Sequence, residues 1–192
     1  RRFNVAVLDD PRCLHLADPS LRLCLDWVEL AGENNPTVDL LAPVLGPGRF
    51  VGVDRDAGCV DRNAARGLPH ATWVHGQLQT LLVNRPALFA RTGVLNYDSF
   101  AGWNGDSILV ETAPLVRFAR QQLDRVGEFV LIVNAAMVRN VPRHVAEMRA
   151  RRVFAPLLVP FGRDLEPTDL FYYRADGDRN DMLNVRVQVG FQ

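Results

Sequence analysis

The sequence predicts an α/β fold in which a mostly parallel, doubly wound sheet ends in a C-terminal antiparallel hairpin. Three observations carry that expectation. From residue 25 onward, short apolar runs of strand length alternate with stretches of helical periodicity, the pattern of a parallel sheet with crossover helices. The stretch 25–55, LDWVELAGENNPTVDLLAPVLGPGRFVGVDR, reads in miniature as strand, glycine loop, helix, strand, acid. Near the C-terminus two strand-like runs lie only a few turn-forming residues apart, too close for a parallel crossover.

Each element follows from local chemistry. Residues 25–30 are mostly apolar and suit a buried strand, which breaks at Ala31-Gly32-Glu33-Asn34-Asn35. A helix is expected next, with Asn35 as N-cap and Pro36 at its first position. Pro43 inside it requires a short or kinked helix, and Gly46-Pro47-Gly48 stops it. Phe50-Val51-Gly52-Val53 is the second strand and ends at Asp54. Residues 56–66 read as a helix stopped by Gly67, and 71–75 as a third strand followed by Gly76-Gln77. Helical pieces at 78–83 and 86–91 lead through Gly93 to a fourth strand, 94–98.

Beyond it, Thr112 is expected to cap a helix that starts at Ala113-Pro114 and ends at Gly127. Leu115, Phe118, Ala119, Leu123 and Val126 form its core stripe. Phe129 to Val133 is the most hydrophobic strand, expected at or near the sheet centre. Residues 142–154 suit a second helix with Val145, Met148 and Val153 inward, and Pro156, Pro160 and Pro167 mark loop. The closing hairpin pairs 170–174 with 182–191, where Leu183, Val185, Val187, Val189 and Phe191 alternate with polar or small residues. Residues 1–24 are expected to be an N-terminal extension near the substrate side, and 25–192 one domain.

The stretch around Gly32 has a chemical use. A glycine after a strand lets a ligand approach the backbone, the next helix offers its first N–H groups, and an acid ending the next strand can accept from ribose hydroxyls. Asp54 follows Gly32 by 22 positions, close to the ~20 such sites show. Glu29-Leu30-Ala31-Gly32 and Val51-Gly52-Val53-Asp54 resemble the first two motifs of the class I S-adenosylmethionine-dependent methyltransferases, although only one loop glycine is kept. The resemblance covers about residues 25–191 and implies a Rossmann-like sheet of class I methyltransferase topology. It also implies S-adenosylmethionine as cofactor, with Glu29 and Gly32 near its methionine part, Asp54 at the ribose and Gln77 at the adenine. A solvated loop glutamine is the other reading of Gln77. The fourth strand tip, Asn96-Tyr97-Asp98, stands where the family places its catalytic motif. Asp98 would act as base or orient the acceptor, or Asn96 and Asp98 simply cap the loop. Trp103, in a Gly-rich loop, either covers a substrate or anchors the loop on the core.

Composition narrows the field. The chain is 48% apolar and 23% charged, with 22 acids and 22 bases, the profile of an ordinary soluble domain with no overall field towards nucleic acid or membrane. No apolar run reaches the ~18 residues of a membrane span, and no signal peptide is read at the N-terminus. Every one of the 22 bases is arginine, which excludes a P-loop lysine, a Schiff-base lysine and a Lys-Asp-Lys-Glu tetrad. Arg139, Arg143, Arg149, Arg151 and Arg152 form the basic cluster, either a phosphate-binding surface or a solvated helix face. Cys13, Cys24 and Cys59 read as free buried thiols, which suits a reducing, cytoplasmic compartment. Histidine and cysteine spacing predicts no metal site.

Two readings of function result. The first is a methyltransferase, with nucleic acid slightly favoured as acceptor. The second is a methyltransferase-like module that does not catalyse. The start at Arg1-Arg2 without methionine suits a processed chain, or on the second reading part of a larger assembly such as a virion. A third, NAD-linked oxidoreduction, is disfavoured because no G-x-G-x-x-G occurs.

Overall fold

Asp26–Leu30 forms β1, and its parallel neighbour β2 (Phe50–Asp54) is apolar almost throughout, as a strand covered on both faces must be. The computed structural model describes residues 25–33, 35–41, 49–99, 101–103, 105–137, 141–174 and 181–190. Expectations for residues 1–24, Cys13 and Cys24 among them, and for Asn34, Pro43, Gly46 to Gly48, Asn104, Arg139 and Phe191 lie outside these residues. The remaining strands are β3 (Ala71–His75), β4 (Thr92–Asp98), β5 (Phe129–Met137), β6 (Leu170–Arg174) and β7 (Asp181–Val189). They form one sheet in the order β3-β2-β1-β4-β5-β7-β6, the doubly wound α/β arrangement with a terminal hairpin. Helices α1 (Pro36–Leu41), α2 (Ala57–Ala64), α3 (Leu78–Asn84), α4 (Ser107–Val126) and α5 (Arg143–Leu158) are described between the strands, with short 3-10 turns at Pro86–Phe89, Val159–Phe161 and Pro167–Asp169. No described helix is long and apolar enough to cross a membrane.

The chain divides into two compact units, Arg1–Val94 and Leu95–Gln192. In the first, β1 pairs with β2 from Trp27↔Phe50 to Leu30↔Val53, and β2 with β3 from Phe50↔Ala71 to Asp54↔His75. All three run the same way, so the residues that follow them emerge at one edge. Val28, Phe50 and Val53 have no solvent exposure. Gly52 faces Trp73 in the register, and a Cβ there would meet the indole at 2.4 Å. The glycine is what lets Trp73 lie over β2. Asn35 caps α1 as expected, its Oδ1 accepting from the Thr37 N–H at 2.9 Å. Asp56 Oδ1 accepts from the Gly58 and Cys59 N–H groups at the start of α2.

In the second unit, β5 pairs antiparallel with β7 from Phe129↔Val189 to Met137↔Asp181, and β7 with β6. Leu183, Val185, Val187 and Val189 are buried, as the alternation predicts. β5 lies next to the middle strand of the order, as its hydrophobicity demands. Three expectations are corrected here. α4 starts at Ser107, not at Ala113; Thr112 is interior and its Oγ1 donates to the Ile108 carbonyl. α5 continues through Pro156 to Leu158. Pro114 and Pro156 each leave without an N–H partner the carbonyl four residues back, which belongs to the solvent-exposed Val110 and Arg152, where water can replace the bond. Met148 is 45% exposed; Ala146, Ala150, Val153, Phe154 and Leu157 make the buried stripe instead. Trp103 is the loop anchor and not a substrate cover: its side chain is fully buried and Nε1 donates to the Leu183 carbonyl at 2.8 Å.

Candidate active site

Because β1, β2 and β3 are parallel, Gly32, Asp54 and Gln77 come to the carboxyl edge of the first unit. Gly32 has φ +58°, the left-handed region that favours glycine, and nothing lies within 4 Å of where its Cβ would be. Its N–H donates to Asp54 Oδ2 at 3.2 Å. The other carboxylate oxygen, Oδ1, accepts from the Asp56 N–H at 2.9 Å. Desolvation opposes the charge of Asp54, but these backbone donors and the Cys59 thiol outweigh it and hold its pKa below the ordinary value. The Cys59 thiol, buried beside that charge, is pushed up to about 11.

The loop between β1 and α1 is braced from both sides. Glu29 is buried; Oε2 accepts from Trp27 Nε1 at 2.8 Å and Oε1 from Asn35 Nδ2 at 2.7 Å. The carboxylate thus holds the N-cap residue of α1 from inside the unit. From α2, Asn63 Nδ2 donates to the Gly32 carbonyl and to the Cys59 carbonyl, both at 3.0 Å. Arg62 pairs with Glu33 at 2.7 Å, and Arg66 donates to the Asn35 carbonyl at 3.2 Å. These side chains fix the backbone path of the loop. Gln77 is exposed at the N-terminal end of α3, where its Oε1 accepts from Thr80 at 3.3 Å.

The tip of β4 belongs to the second unit. Tyr97 is buried and its hydroxyl donates to Glu111 of α4. Strand alternation sends it to the opposite face from Asn96 and Asp98, so the expected trio does not act on one face. Asn96 is 8% exposed and Asp98 open to solvent. Asn134 of β5 joins Asp98: its Nδ2 donates to Asp98 Oδ1 at 2.6 Å, and its Oδ1 accepts from the Tyr173 hydroxyl at 2.8 Å. Although Asp98 reaches solvent, desolvation by the protein around its carboxyl raises its pKa, and the Asn134 bond partly offsets this.

Asn63, Asn134 and Tyr173 are the residues that sequence reasoning misses. Asn63 carries a signal, a poor helix former on the buried side of α2. The arginine cluster is largely engaged within its own unit. The Arg143 guanidinium lies 4.6 Å over the Tyr172 ring, Arg149 donates to the Trp103 carbonyl at 3.0 Å, and Arg151 pairs with Asp164; Arg152 is exposed.

No family model matches the sequence, and no curated protein matches it. Solved structures do match. Fibrillarin from Aeropyrum pernix, with natively bound S-adenosyl-L-methionine, superposes with a TM-score of 0.56 at 17% identity, over 88% of this chain and 73% of that one. The fold is that of the class I methyltransferases. Precorrin-6y C5,15-methyltransferase from Geobacter metallireducens gives a TM-score of 0.50 at 14% identity, covering 91% and 85%. The Methanococcus jannaschii fibrillarin pre-rRNA processing protein gives 0.50 at 10%, covering 92% and 75%. The class I fold accounts for the sheet order.

Proposed function

We propose that this chain is an S-adenosylmethionine-dependent methyltransferase and that its acceptor is a nucleic acid. The observation that carries the reading is the Gly32–Asp54 clip at the carboxyl edge of a class I fold. The residues present fit the cofactor. Gly32 leaves open space where a side chain would stand, so a ligand can reach the backbone. The half-buried Asp54 carboxylate, held charged by its backbone N–H donors, can also accept from a ribose hydroxyl. In this reading Glu29 fixes the loop from behind, and Gln77 accepts from the adenine amino group.

When bound, the cofactor supplies the electrophilic methyl group. What falls to the protein is alignment, the largest contribution in a displacement of this kind, and removal of a proton where the acceptor carries one. Asp98 suits that proton transfer, being oriented through Asn134, open to solvent, and more basic than an ordinary carboxylate. A nucleic acid acceptor is supported by the fibrillarin likeness and by the exposed Arg152. The free, buried Cys59 thiol supports a reducing, cytoplasmic setting.

A non-catalytic module is the second reading, favoured by Tyr97, whose hydroxyl is committed to Glu111. Calorimetric titration with S-adenosylhomocysteine, beside an Asp54→Ala variant, separates the two. Dissociation constants on the order of micromolar, lost in the variant, support the enzyme. A folded wild type that gives no heat overturns it.

A further inference from the structure

Asn184 of β7 is fully buried, and neither its Oδ1 nor its Nδ2 has a hydrogen-bond partner. A primary amide left so is costly, and native proteins rarely keep one without a use. Its neighbours in the register are Asn134 on β5 and Phe171 on β6. Residues directly opposite in an antiparallel sheet share a face, so Asn134, Asn184 and Phe171 form one row of side chains. The next row on that face is Ala136, Met182 and Tyr173.

The polar groups of this face are ordered. Tyr173 donates to Asn134, and Asn134 to Asp98 Oδ1. Held by that oxygen, the solvent-reaching carboxylate keeps Oδ2 for a further donor. On the β6 side, Phe171 is 42% exposed and its ring centroid lies 6.0 Å from that of Tyr173. An aromatic ring that reaches solvent, an amide offering a donor and an acceptor in one plane, and a carboxylate acceptor together match one kind of group. It is planar, it stacks, and it carries mixed donors and acceptors along its edge: a nucleobase.

We propose that Phe171, Asn184 and Asp98 form a subsite for an unpaired nucleobase of the acceptor, with Asn134 and Tyr173 as positioning residues. The inference rests on the methyltransferase reading and names the chemistry of its acceptor. The base stacks on Phe171, whose ring turns to admit it, and its edge meets the Asn184 amide and Asp98 Oδ2.

The test is fluorescence anisotropy of short, labelled single-stranded homo-oligonucleotides with the full chain, in the presence of S-adenosylhomocysteine. Wild type, Phe171→Ala, Asn184→Ala and Asn184→Leu are compared, each also titrated calorimetrically with S-adenosylhomocysteine alone. At least one oligonucleotide is expected to bind. Phe171→Ala, a surface change, should weaken it by about tenfold, the loss of one stacking contact. The Asn184 variants should weaken it at unchanged S-adenosylhomocysteine affinity, which also reports that they are folded. No oligonucleotide binding, or equal binding by wild type and Phe171→Ala, overturns the subsite. So does binding by wild type that salt alone removes and no substitution changes, the sign of phosphate contacts only. If wild type binds the oligonucleotide through Phe171 but not S-adenosylhomocysteine, the methyltransferase reading falls and the base subsite stands.

Discussion

The backbone N–H of Gly32 donates to Asp54 Oδ2 at 3.2 Å, joining the ends of β1 and β2 across 22 positions of chain. Gly32 makes this bond at φ +58°, a conformation that costs a residue with a Cβ about 1–2 kcal/mol. Gly67 has a matching φ of +62°, and at both positions nothing lies within 4 Å of where a methyl group would stand. Gly32→Ala and Gly67→Ala should therefore lose similar stability, about 1 kcal/mol each, in urea unfolding. Only Gly32→Ala should weaken S-adenosylhomocysteine binding, because only there does the methyl stand at the candidate site. Equal affinities in the two variants would remove Gly32 from the site.

Asp54 contributes to stability in acid. Its ordinary pKa is 3.8; desolvation raises it, and the N–H donors of Asp56 and Gly32 with the Cys59 thiol bring it below that value. The unfolded chain then binds the proton more readily than the native one, so stability rises with pH across that window. On acidification the contribution of Asp54 is complete above about pH 3.8 and is lost as pH falls through the lower native value. Asp54→Asn should flatten this part of the acid-unfolding curve. A wild type and variant with parallel curves below pH 4, roughly the unfolded carboxylate value, would show that the clip carries no linkage.

Asn63 holds the loop from α2, and its donor role is open to a chemical test. Asn63→Ala removes the Nδ2 donor to the Gly32 and Cys59 carbonyls, and should cost about 1–2 kcal/mol and part of the S-adenosylhomocysteine affinity. Asn63→Asp keeps the shape but points an acceptor at two carbonyl oxygens. It should be the more destabilising of the two, and its deficit should shrink at low pH where the new carboxyl is protonated. Denaturant unfolding of both variants measures this; an Asn63→Asp protein as stable as wild type contradicts the donor role.

What is legible in the sequence is local. Asn35-Pro36 announces a helix start because cap and first-turn geometry depend on adjacent residues, and β2 and β5 announce themselves by apolar runs between turn formers. The start of α4 is hidden because Pro114 mimics a first-turn proline, and only the packing of Ile108 and Thr112 in the interior shows otherwise. The inward face of α5 is obscured because alanines carry much of it, leaving Met148 as the more conspicuous apolar residue. Gly32 and Asp54 can be paired from spacing. Asn134, Tyr173 and Asn184 cannot, since 39 residues separate the hydrogen-bonded Tyr173 and Asn134 and only strand register brings Asn184 beside them.

Cys59 reports on the site without touching a ligand. The residue is 3% exposed. Burial, the hydrogen bond to Asp54 and the charge of that carboxylate push its thiol from 9.0 up to about 11. The thiolate is the reactive form, so alkylation of native Cys59, in a Cys13→Ser, Cys24→Ser background, should stay slow until the pH approaches 11. The native state holds this proton more tightly than the unfolded one, so the contribution is complete below pH 9.0 and lost as pH rises through the native value. Asp54→Asn removes the neighbouring charge and should shift both the alkylation profile and the alkaline loss of stability to lower pH. Were the profile unmoved by that substitution, burial alone would control the thiol, and the contact between β2 and α2 that shapes the candidate site would be weaker than the geometry implies.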